Sequence, residues 1–173
     1  MSFQITQWNQ ALKAISEGNA TKAITSNATL ARQMTNHHVR DRVILYAIYP
    51  ADVDIAGITN KRLLEGMKQA AQSLPNQDKA KTVVDTLTAL AQNADNVEAR
   101  GSTLGAAAYI TWWCGDYDLA RQLANEALNA HEQSSMAQLV KYAVTNEVKA
   151  PYVGIPANEL LKPTPITRQT RAR

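Results

Sequence analysis

Residues 115–130, GDYDLARQLANEALNA, decide the fold of this chain. A Gly-Asp turn opens the segment, and Ala120, Ala124 and Ala127 then recur at the spacing of one helical face. Small side chains along such a face let a neighbouring helix come close. The preceding segment is the natural neighbour: it runs from Asn96 towards Trp113 and crosses Gly101 and Gly105. Each glycine costs a helix about 1 kcal/mol relative to alanine. Two of them, one opening the run GAAAY, predict that another backbone packs tightly there. Downstream, Ser134 or Ser135 starts a further helix with Met136, Leu139, Val140 and Ala143 inward.

The same periodicity extends outward over most of the chain. A first helix carries Ile5, Trp8, Leu12 and Ile15 on one face and stops at Gly18-Asn19, a pairing suited to the left-handed backbone that closes helices. A second starts at Ser26 or Asn27 and shows Leu30, Ala31 and Met34. The third, within HVRDRVILYAIYP (38–50), turns Val39, Val43, Tyr46 and Ala47 inward and is stopped by Pro50. The fourth, capped by Thr59 or Asn60, is expected to bury Leu63, Leu64, Met67, Ala70, Ala71 and Leu74. Pro75 and Asn76 end it and cap a fifth, which presents Val83, Val84, Leu87, Leu90 and Ala91.

No stretch keeps the two-residue alternation of a half-buried strand. The expected class is all-α, with about eight helices in stacked antiparallel hairpins forming one domain over residues 1–150. Beyond it, Pro151, Pro156, Pro163 and Pro165 forbid a long helix. Residues 151–173 therefore read as a proline-rich basic tail, partly disordered: residues 162–173 lack structure, and YVGIP and ELL are the parts able to pack back on the body.

The 18 Lys+Arg and 15 Asp+Glu give a net charge of +3, and its placement matters more than its size. Residues 1–150 hold fourteen of each sign, while the tail holds four basic residues, Lys162, Arg168, Arg171 and Arg173, against Glu159. The body is neutral and the tail is a short basic arm, a small footprint for phosphates. Cys114 is the single cysteine and cannot form an internal bridge. The N-terminus lacks the pattern of a secretory signal, and no run nears the roughly 18 apolar residues of a spanning helix. A cytoplasmic protein without membrane association is expected.

Set against the tetratricopeptide pattern, GDYDLARQLANEALNA resembles the second helix of a repeat, with Ala120, Ala124 and Ala127 at its small-residue positions. Leu104, Ala107, Ala108 and Thr111 represent the first helix, so residues 102–147 resemble one tetratricopeptide-like hairpin, with no second copy at a period of about 34 residues. More widely, residues 26–150 are similar to the helical C-terminal part of an actinobacterial family of unknown function, numbered four-one-nine-two among such domains. The shared order is VRDRV, two middle helices, an alanine-rich helix with tryptophan, GDYDLARQLANEAL and a last amphipathic helix. The resemblance implies the fold and a bacterial or phage origin, and no activity. The α/β region that precedes this part in such proteins is not in this sequence.

The residue types of known chemistries do not gather. His37 and His38 are adjacent, so on a helix they point about 100° apart and do not share a metal. Asp52 and Asp54 lie in a loop without the glycine and distal glutamate of a calcium loop. Phosphate loop, nucleophile elbow, HExxH helix and dinucleotide fingerprint are all missing. The expectation is no enzyme, no metal and no cofactor. For Arg40, Asp41 and Arg42 the first reading is an Arg–Asp pair fixing the junction of the second and third helices, and the second is an anion held by Arg40 and Arg42.

Tyr109, Trp112, Trp113 and Tyr117 form the main aromatic cluster. The two tryptophans face different directions, so both are buried only if this helix is covered on two sides; otherwise one is a surface anchor. The leading expectation is a non-catalytic protein-protein interaction or adaptor module, with Tyr109, Trp113, Lys141 and Tyr142 contributing to a groove wall. The alternative is a small nucleic-acid-associated regulator from a mobile element, which would use the basic tail. Homo-oligomers fit either reading.

Overall fold

The computed structural model describes residues 2–19 and 21–167. Among these residues the chain forms nine α-helices and no strand: α1 (Phe3–Ser16), α2 (Lys22–Thr25), α3 (Ala28–Gln33), α4 (His37–Ile48), α5 (Asn60–Ala70), α6 (Gln77–Gln92), α7 (Val97–Trp113), α8 (Tyr117–Ala130) and α9 (Ser135–Thr145). A 3-10 turn, Ile55–Gly57, follows α4. The extra helix relative to the sequence reading is α2, four residues that bury no side chain. None of the helices is long and apolar enough to cross a membrane.

Local chemistry sets where the helices begin. Asn27, Asn36, Asn76 and Asn96 each precede a helix and accept a backbone N–H from its first turn through the side chain, as do Thr59 and Asp116. These bonds satisfy donors that a helix leaves orphaned at its start. Ser134 precedes α9 but does not cap it: its hydroxyl donates instead to the carbonyl of Gly101, 3.1 Å away in the interior.

α7 is the hub, packed against α3, α4, α6, α8 and α9. Covered on several sides, it buries both Trp112 and Trp113. The tight approach expected at its glycines is present. A Cβ on Gly101 would lie 2.6 Å from Cβ of His131, and one on Gly105 would lie 2.8 Å from Oγ of Ser134. The connection from α8 into α9 therefore rests directly on the α7 backbone. The N-terminal half closes the other side, where α1 brings Trp8, Leu12 and Ile15 into contact with α4 and α6.

The segment after α9 departs from the sequence reading. Residues 162–167, expected to lack structure, lie against the body together with those before them. Trp112 Nε1 donates to the carbonyl of Val148 at 2.8 Å, and the Tyr152 hydroxyl donates to that of Trp113 at 2.8 Å. Farther on, Leu161 N–H donates to Gln72 O, and Ile166 pairs in parallel with Val53, exchanging bonds with Asp52 O and Asp54 N–H. Proline forbids helix here but permits extended chain. That chain carries two apolar side chains, Tyr152 and Ile166, into the core. Residues 168–173, which include Arg168, Arg171 and Arg173, lie outside the described residues.

Candidate functional site

α5 carries an amphipathic pattern whose apolar face should be covered, yet the structure leaves much of it open. Only Gly66 and Ala70 of α5 are buried; Leu63 and Met67 are partly covered, and Leu64 is 58% exposed. Leu74, beyond the end of α5, is exposed as well. The same departure occurs on α9, where Leu139 is 51% exposed. These two leucines, both expected inward, face one groove of about 300 Å³ between α5 and α9. Ile44 and Tyr109 stand between them, and Met67 and Met136 complete the apolar walls. Arg40, Asp41 and Asn60 form the polar end.

Of the partner-binding set read from the sequence, the structure brings Tyr109 into this groove, half-buried on α7. Burial pushes its phenol up to about 12, with the negative charge of Asp41 adding to the effect. Tyr142, 65% exposed, is one turn beyond Leu139 and extends the apolar surface. Lys141 is exposed, but two residues from Leu139 it points about 200° around the helix and does not share that wall. Trp113 is corrected: at 3% exposure it is a core residue, packed with Tyr109, Trp112 and Tyr152.

The arginine readings are also revised. Arg40 pairs with its neighbour Asp41 at 3.0 Å on the groove edge, so the ion pair belongs to α4 alone and does not bind two helices together. Arg42 is buried, and its terminal nitrogens donate to His38 O, Ile58 O and Asn60 Oδ1. With those donors committed to pinning α4 against the start of α5, Arg42 is not placed to clasp an anion with Arg40. Lys162 is exposed on the segment crossing the body. His37 and His38 are exposed in the first turn of α4, with their rings 4.0 Å apart.

The remaining titratable groups of note are held by the fold. Lys79 reaches from α6 to donate to the carbonyls of Tyr49 and Ala51, just past the end of α4. Burial pulls its ammonium down to about 8, against the opposing pull of Asp52. Burial likewise pushes the Cys114 thiol up to about 11, which keeps it protonated and a poor nucleophile. The sequence reading missed Lys79 because its partners are backbone carbonyls almost thirty residues away. It missed the uncovered face of α5 because periodicity shows which face is apolar and not what covers it.

Comparison with known proteins gives no match: no family model, no curated protein and no solved structure is similar to this chain.

Proposed function

We propose that this chain is a non-catalytic protein-interaction module whose docking face is the groove between α5 and α9. One observation carries the reading: the apolar stripe of α5 and Leu139 of α9 stay open to solvent on two helices that face each other. Uncovered apolar surface of this kind, edged by a polar end, is the usual mark of a contact site. The two methionines in its walls fit a surface that adapts to an incoming side chain.

The non-catalytic part of the reading is supported by three of the perturbed groups. Lys79 and Tyr152 are bonded to backbone carbonyls, and the Cys114 thiol is held neutral. The tetratricopeptide-like character of the α7–α8 hairpin fits the same reading, since the small residues of α8 serve packing against α7.

The test is capture of a partner from a lysate of the source organism by the chain and by a Leu64→Ser, Leu139→Ser, Tyr142→Ser variant. All three side chains are exposed, so the variant should keep its helical circular dichroism and melting temperature while losing the captured protein. Undiminished capture by a folded variant would refute this face. A captured species that disappears on nuclease treatment would favour the nucleic-acid alternative.

A further inference from the structure

α6 and α8 both pack on α7 and hardly touch each other, which leaves a second groove on the opposite flank of the α8–α9 hairpin. Two adjoining hollows of about 280 and 430 Å³ share Val84, Asp85 and Leu119, so the groove is continuous along α6. Val84, Ile110 and Leu123 give it an apolar floor. Its rim is acidic, with Asp78 and Asp85 on α6 and Asp116 and Glu126 on the facing side. Lys81 is the cation lining it, and Lys81 is paired with Asp85 at 2.6 Å. In a body whose charges balance, four carboxylates against one lysine make a local excess that selects a basic occupant.

We propose that this groove docks the arginine-bearing segment 168–173 of a second copy of the chain. Arg168, Arg171 and Arg173 match the net charge of the rim, and no acidic residue lies among residues 160–173. The dimensions agree. Asp78 and Asp85 are seven residues apart on α6, about 10 Å along its axis, and the step from Arg168 to Arg171 in extended chain also covers about 10 Å. Arginine suits the surface because its stem lies on apolar ground while the guanidinium makes paired hydrogen bonds to a carboxylate.

Concentration dependence separates a second copy from the same one. Thr167 is held by Arg62 through its carbonyl, and Ile166 rests on Val53, Leu45 and Gly66. None of these residues lines the α6–α8 groove, but Asp52, whose carbonyl accepts from Ile166 N–H, shares a hollow with Asp78 at one end of the rim, so an arm docked in its own groove is the competing outcome and would leave the chain monomeric. Arm into groove is a head-to-tail contact, which adds further copies as concentration rises and does not close as a two-fold dimer does.

Sedimentation velocity on the full chain over a wide concentration range, at low and high salt, tests the proposal. The expected result is association at low salt that weakens by about tenfold or more at high salt. Association should be lost in an Asp78→Asn, Asp85→Asn, Glu126→Gln variant and in an Arg168→Glu, Arg171→Glu, Arg173→Glu variant. Asp116 is left unchanged because it caps α8. Mixing the arm variant with an Asp78→Lys, Asp85→Lys chain should restore association that neither shows alone. A full chain that stays monomeric at every concentration and low salt would overturn the proposal. So would association that survives in the arm variant, which would move the contact to another face without touching the reading of the α5–α9 groove.

Discussion

Gly101 and Gly105 are required by distance. Alanine at position 101 would gain about 1 kcal/mol of helix propensity, but its Cβ would meet Cβ of His131 at 2.6 Å and the Ala127 carbonyl at 3.1 Å. Neither atom is the free end of a flexible side chain. Gly101→Ala should therefore destabilise the protein by about 1–3 kcal/mol, measured as a lower urea midpoint; an unchanged or higher midpoint would show that the α8–α9 connection gives way. Lys79 offers a second check. Its folded value, about 8, lies below the ordinary 10.5. Between those values the unfolded chain keeps a proton that the folded chain has lost, so Lys79 makes stability rise with pH across that window. Lys79→Met should remove that rise. Urea unfolding of both chains at pH 7.5 and 9.5 reads the difference. The glycines could be read from the sequence because their propensity cost demands a packing reason. Trp113, expected in the groove wall, is a core residue instead, since burial depends on how many neighbours cover α7.

Helix starts were the most legible elements, because an asparagine, threonine or aspartate side chain bonding its own first turn is a contact between residues two or three apart. Asn96→Ala should accordingly cost about 1 kcal/mol, read as a lower melting temperature. α5 was half legible: its period was right, but its apolar face stays open at Leu64, because α8 and α9 pack on α7 and not on α5. The segment after α9 was the least legible, since its anchors join distant residues, Tyr152 to Trp113, Leu161 to Gln72 and Ile166 to Val53. Ile166 is buried against Leu45 and Gly66. Ile166→Ala should therefore destabilise by about 2–4 kcal/mol, whereas a loose tail would leave the denaturation curve unchanged.

At the scale of the molecule, one helix organises everything else. α7 takes up its neighbours so completely that the α8–α9 hairpin stands between two grooves, one apolar beside α5 and one acid-rimmed beside α6. The two differ in origin: α6 and α8 both pack on α7 and hardly touch each other, whereas α5 packs on α4 while α9 packs on α7. The proposed docking face is the apolar groove, and photo-crosslinking tests that most directly. Benzoylphenylalanine placed at Leu139, in the source organism, should crosslink one protein species, while the same probe at Val97, exposed at the start of α7 and outside the groove, should not. The same species captured equally at both positions, or none at Leu139, would contradict the account.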